Sequence, residues 1–85
     1  MNWTLHIREK VKKAILRFPL KDRENIRNTL LALNENPYYG DIVKLEGEDN
    51  LWRRRVGAYR IKFQIKNDEK IVYVYEIKRR TSGTY

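Results

Sequence analysis

Between Leu51 and Ile65 the chain reads LWRRRVGAYRIKFQI, which sets Arg53, Arg54, Arg55, Arg60 and Lys62 along what reads as a β-hairpin. Lys78, Arg79 and Arg80 follow in KRRTSGTY, with Tyr85 behind them. A guanidinium is planar, always charged and pairs phosphate oxygens bidentately. A cluster of them is chemistry for holding a polyanion and for neutralising charge that builds on a phosphoryl oxygen. It is poor chemistry for taking up a proton, because arginine stays protonated at any working pH. Trp52, Tyr59, Tyr73, Tyr75 and Tyr85 are interleaved with these cations. An exposed ring beside arginines can stack a base of single-stranded RNA, worth about 1–3 kcal/mol per base. Core packing is the competing use for the first four rings. Tyr85 stands in a polar stretch without apolar neighbours, so packing explains it poorly.

Composition narrows the chemistry further. Eighty-five residues make a single domain, residues 1–85. The absence of cysteine excludes disulfides, thiolate catalysis and zinc sites that need Cys, and His6 as the lone histidine excludes a His–His pair or a His-rich metal site. No metal or cofactor is expected. A hydrophobic share of 41% with 12% aromatics is that of a globular chain. No signal-peptide pattern and no membrane-length apolar run is present, so a cytoplasmic address with no membrane association is expected. The net charge of +8 is unevenly spread. Residues 1–21 carry six basic residues against one acid, 22–52 carry three against seven, and 53–85 carry ten against three. The last block points to a polyanionic partner, against the alternative of a well-solvated surface.

The elements that must position these residues are legible in the patterning. WTLHI, residues 3–7, alternates and reads as a short strand. Ile7, Val11, Ala14, Ile15 and Phe18 form one helical stripe, stopped by Pro19, with Lys10, Lys12, Lys13 and Arg17 on the other side. Asp22 is predicted to cap a second helix with the stripe Ile26, Leu30 and Leu33, which ends at NENP because a residue before proline avoids the helical region. Residues 34–50 read as turn-rich. Leu51–Val56 is a strand, Gly57-Ala58 a tight turn, and Tyr59, Ile61, Phe63 and Ile65 alternate with Arg60, Lys62, Gln64 and Lys66. Ile71–Ile77 reads as a strand buried on both faces. The order βααβββ predicts an α+β domain, a two-helix hairpin packed on one face of a small antiparallel or mixed sheet. Arg60 and Lys62 then point away from the core, some of Arg53–Arg55 join them, and the last strand delivers Lys78, Arg79 and Arg80 at its end.

The segments KLEGEDNLWRRRVGAYRIKFQI and VYVYEIKRRTSGTY, with the element order and length, resemble the RelE branch of the RelE/ParE toxin superfamily. The resemblance implies the RelE-like fold and the toxin half of a type II toxin–antitoxin pair. It implies a metal-independent, ribosome-dependent endoribonuclease that enters the ribosomal A site, contacts ribosomal RNA of the small subunit and cuts mRNA there, arresting translation under stress. The implied chemistry is attack of the mRNA's own 2′-hydroxyl on the adjacent phosphate, leaving a 2′,3′-cyclic phosphate and a 5′-hydroxyl. Such a reaction asks the protein for alignment and for charge stabilisation. An acidic RelB-like antitoxin is the implied inhibitor, lying along the basic sheet face or displacing the KRRTSGTY tail.

By the same resemblance, Arg60 holds the scissile phosphate, Arg79 assists the departing 5′-oxygen and Tyr85 stacks on an mRNA base. Arg53, Arg54, Arg55, Lys62, Lys78, Arg80 and Lys44 are implied RNA or phosphate contacts. The chain departs from relatives that place a lysine base among the residues matching Arg53–Arg55, since all three are arginine here. Glu46, in KLEG, is close to a glutamate that some relatives use, with an exposed loop acid as the alternative reading. Two other functions share the fold: ParE-like inhibition of DNA gyrase without catalysis, and a catalytically weakened RelE homologue that binds antitoxin.

Overall fold

Every second residue of Tyr59–Lys66 is buried, and the strand built on that alternation lies near the centre of the sheet. The computed structural model describes residues 3–45 and 50–79. They form β1 (Thr4–Ile7), α1 (Glu9–Ile15), α2 (Leu20–Glu35), β2 (Ile42–Lys44), β3 (Leu51–Val56), β4 (Tyr59–Lys66) and β5 (Ile71–Arg79). The five strands make one mixed sheet in the order β1-β5-β4-β3-β2, with β1 parallel to β5 and the other pairs antiparallel.

Both helices pack on one face. Val11 of α1 and Ile26, Leu30 and Leu33 of α2 are buried against Tyr59, Ile61, Phe63, Ile65, Val72, Val74 and Ile77. Each such aliphatic or aromatic side chain contributes about 1.5–3 kcal/mol by leaving water, which is how a chain without staples holds together. Trp52 joins this layer. Its ring meets that of Tyr38 edge-on at 5.8 Å, and Tyr38 in turn meets Trp3 at 6.3 Å.

The predicted α+β architecture is the observed one, with four local departures. First, α1 ends at Ile15, before Phe18. The chain tightens there into bonds from Arg17 N–H to the Ala14 carbonyl and from Phe18 N–H to the Ile15 carbonyl, which turn the Phe18 ring to within 4.5 Å of Tyr59. Second, Pro19 caps α2, so Asp22 lies in the first turn instead of at the cap. A carboxylate is favourable there against the helix dipole. Third, the turn-rich stretch contains β2, which pairs with β3 at the sheet edge and is too short to show an alternation. Fourth, β5 is buried on one face only, with Tyr73, Tyr75 and Glu76 half-buried on the other.

The expected ending of α2 is observed. Asn36 is extended before Pro37, and its side-chain oxygen accepts the Tyr38 N–H at 3.1 Å. Gly57 takes φ 55° at the first position of the turn joining β3 to β4, a position that glycine occupies without strain.

Candidate nucleic-acid interface on the open sheet face

The face of the sheet away from the helices is where the cations collect. Register sets which residues share it. In β3 and β4, Arg55 lies opposite Arg60 and Arg53 opposite Lys62, while Arg54 lies opposite the buried Ile61. In β4 and β5, Arg60 lies opposite Lys78 and Lys62 opposite Glu76. Arg55, Arg60 and Lys78 therefore form a row across three strands, about 10 Å wide at the usual strand spacing. Like charges directly opposite one another destabilise a sheet. Packing gives no reason for such a row, and a bound polyanion does.

Two acids moderate this face. Asp41 accepts from Arg55 Nε at 3.2 Å, and Glu76 pairs with Lys62 at 3.3 Å. Among the described residues, Arg60, Arg53 and Lys78 have no acidic partner. Arg60 and Arg53 instead line, with Arg55, Asp41 and Val43, a depression of about 120 Å³. Asp41 carries no signal of its own in the sequence, because only the β2 pairing brings it to Arg55. No group of three or more His, Cys, Asp or Glu among the described residues is arranged to hold a metal ion.

A bulge decides what β5 contributes. Phe63 pairs with Val74 and Lys62 with Glu76, so β5 carries one extra residue, Tyr75, between those pairs. The bulge reverses the alternation beyond it. Ile77 consequently turns into the core, Lys78 onto the open face, and Arg79 onto the helix side opposite Tyr59. The Arg79 guanidinium carbon stands 6.0 Å from the Tyr59 ring centre. Arg60 and Arg79 therefore do not share a face.

The remaining sequence-derived positions separate in the same way. Arg54 turns to the helix side, where its Nη1 donates to the Tyr39 carbonyl at 3.1 Å. Lys44 is exposed opposite Trp52 at the sheet edge, also on the helix side. Glu46, Arg80 and Tyr85 lie outside the described residues. Of the aromatic residues, Trp52 and Tyr59 pack with the core, whereas Tyr73 and Tyr75 stand on the open face.

Tyr59 closes the core below this site. It is 3% exposed, and its hydroxyl donates to Asp22 Oδ2 at 2.8 Å. Burial, that hydrogen bond and the Asp22 charge all push the Tyr59 hydroxyl above its ordinary pKa, with Arg79 pulling the other way.

The same architecture occurs in solved structures. A crystal structure of the archaeal RelE–RelB complex from Pyrococcus horikoshii OT3 superposes with a TM-score of 0.85 at 25% identity, covering 98% of this chain and 100% of that one. The isolated E. coli RelE toxin gives 0.83 at 19% identity, covering 95% and 87%, a likeness of fold. A Methanocaldococcus jannaschii protein curated under the toxin name RelE1 is 27% identical over 88 residues, spanning 100% of this chain and 97% of that protein. The family model described as ParE toxin of type II toxin–antitoxin system, parDE, matches residues 2–82. With that match over nearly its whole length, the chain belongs to the ParE toxin family of type II toxin–antitoxin systems and is a RelE-type member of the RelE/ParE superfamily.

Proposed function

We propose that this toxin is a ribosome-dependent endoribonuclease that cuts mRNA in the A site and thereby arrests translation in the cytoplasm. The observation that carries the reading is the row Arg55–Arg60–Lys78 on an uncovered sheet face, with Arg60 at its centre and without an acidic partner among the described residues. Arg60 binds the scissile phosphate in a bidentate fork and stabilises the charge that builds as the 2′-oxygen attacks phosphorus. Arg53, Lys62 and Lys78 hold the flanking phosphates. The ribosome supplies alignment, the part of the catalysis that a site rich in arginine and poor in bases lacks. Glu46 and Tyr85 retain the roles that the resemblance implies for them, as base and as stacking ring.

To assist the departing 5′-oxygen, Arg79 must leave Tyr59 and pass around the end of β5, since it stands on the helix side of the sheet. A cation–π contact at an exposed position is worth about 0.5–1 kcal/mol. A hydrogen bond to a charged group is worth about 1.5–3 kcal/mol, so a bound phosphate outcompetes the ring.

An acidic RelB-like antitoxin inhibits by covering the open face. RelE relatives crystallised with RelB support such a partner, and the excess positive charge on this face suits it. Primer extension on a defined mRNA, with and without programmed ribosomes, tests the proposal. Cuts confined to the A-site codon, present only with ribosomes and lost in Arg60→Ala, are expected; ribosome-independent cuts or none at all would overturn it.

A second reading is gyrase inhibition, favoured by the ParE description of the matching family model. Induction followed by a DNA-damage response without early translation arrest would select it.

A further inference from the structure

Attack by a 2′-hydroxyl needs an acceptor for the hydroxyl proton, and neither a guanidinium nor an ammonium offers one. The depression that Arg60 lines with Arg53, Arg55 and Val43 contains a single carboxylate, that of Asp41. Register explains its place. Ile42 lies opposite Arg54, and the Arg55 N–H donates to the Asp41 carbonyl at 3.2 Å, so the pairing of β2 with β3 runs on to set Asp41 beside Arg55. Arg55 in turn lies opposite Arg60. Asp41 therefore ends the row Arg55–Arg60–Lys78, two strands and about 10 Å from Arg60 at the usual strand spacing. Its Oδ2 accepts from Arg55 Nε at 3.2 Å, while no described residue donates to Oδ1. The side chain is 57% exposed, so a ligand in the depression can reach it. An exposed ion pair contributes little to a fold, and a carboxylate among phosphate-binding arginines weakens their hold on an anion. An acid in that position suits a ligand that brings a hydrogen-bond donor along with its phosphate.

We infer that Asp41 is the general base of the cleavage, taking the 2′-hydroxyl proton while Arg60 holds the scissile phosphate. This inference rests on the endonuclease reading, and it gives Asp41 the step that the resemblance gives Glu46. At about 120 Å³ the depression has the volume of a few waters, the scale of a phosphate group with an adjoining hydroxyl. The 2′-hydroxyl donates to Asp41 Oδ1. Its proton passes to that oxygen as the 2′-oxygen bonds to phosphorus and the bond from phosphorus to the 5′-oxygen breaks. A proton from water completes the 5′-hydroxyl, and Asp41 afterwards returns its own proton to water. Arg55 orients the carboxylate through Oδ2, an arrangement in which a third group holds the base. The same guanidinium, with Arg60, offsets the repulsion between the carboxylate and the phosphate.

Single-turnover cleavage on programmed ribosomes tests the assignment, with ribosome affinity and the urea midpoint measured for each variant. Asp41→Asn keeps an oxygen for Arg55 Nε but cannot take up the proton. It should cut about 10²–10⁴-fold more slowly than wild type, with affinity and midpoint unchanged. Asp41→Ala should recover part of its cutting when formate is added, because a small carboxylate can enter the vacated space, whereas Arg60→Ala should not. A purely structural role for Asp41 would not respond to formate. Cutting by Asp41→Asn within about threefold of wild type overturns the assignment, as does a loss matched by weaker ribosome binding. Loss of cutting in Glu46→Gln with cutting retained in Asp41→Asn also overturns it and leaves the endonuclease reading standing. A wild-type toxin that makes no cut on programmed ribosomes overturns both.

Discussion

The guanidinium of Arg54 fills the space that a side chain on Gly40 would need. Its Cζ stands 2.5 Å from the position of a Cβ at that residue, and Gly40 itself has φ +104°. With the bond from Arg54 Nη1 to the Tyr39 carbonyl, the middle arginine of the triplet fastens the loop entering β2. That loop carries Asp41 to Arg55. Arg54 is thus a structural residue between two residues of the open face.

This division is measurable. Arg54→Ala should cost about 1–3 kcal/mol in urea unfolding, through the lost carbonyl bond and packing. Gly40→Ala should also destabilise, because its φ of +104° strains any side chain and an added Cβ would push the Arg54 guanidinium off its bond to the Tyr39 carbonyl. Arg53→Ala and Arg55→Ala, one half-buried and one exposed, should leave stability within about 0.5–1 kcal/mol, since they remove charges from a face already crowded with them.

Salt dependence separates the same residues on the binding side. For single-stranded RNA, each lost phosphate contact should lower the slope of log K against log salt by about 0.7. Arg53→Ala and Lys78→Ala should each show that change, whereas Arg54→Ala and Lys44→Ala, which remove cations from the helix side, should not.

At the centre of the row, Arg60→Ala should reduce single-turnover cleavage on programmed ribosomes by about 10²–10³-fold, the scale for removing one preorganised donor to a developing oxyanion. Arg60→Lys should recover only part of it. Lysine keeps the charge without the planar fork. Unfolding of either variant should match wild type within about 0.5 kcal/mol, which distinguishes lost chemistry from lost fold.

Tyr59 gives a pH signature. Its folded pKa is raised above the unfolded value, about 10, by burial and by its bond to Asp22. The neutral hydroxyl is the stabilised form. Its contribution is complete below about pH 10 and is lost as pH rises from there through the folded pKa. Wild-type urea midpoints should therefore fall above about pH 10. Tyr59→Phe should be less stable at about pH 7, through the lost bond to Asp22, and should show a shallower alkaline decline.

Much of this protein is written in local pattern. The alternation of Tyr59–Lys66 determines a strand with Arg60 and Lys62 opposite the core, because side chains on a strand alternate with period two. The helical stripes at Val11 and at Ile26, Leu30 and Leu33 determine that two helices cover one face. Composition restricts the chemistry to permanent cations and a few acids and rings, and the motif around Arg60 and KRRTSGTY carries the family. Pattern alone could not show β2, since three residues make no period, nor the role of Asp41, which depends on that pairing.

The tertiary structure decided which cations belong together. A strand read by itself assigns parity but not its phase relative to a neighbour, and a single extra residue reverses it. The bulge opposite Lys62 and Phe63 is such a residue: it sends Lys78 to Arg60 and Arg79 to Tyr59. Likewise the register of β3 on β4 separates Arg54 from Arg53 and Arg55. Hydrogen bonding between strands distant in sequence sets both, so the site became visible only once the sheet was assembled.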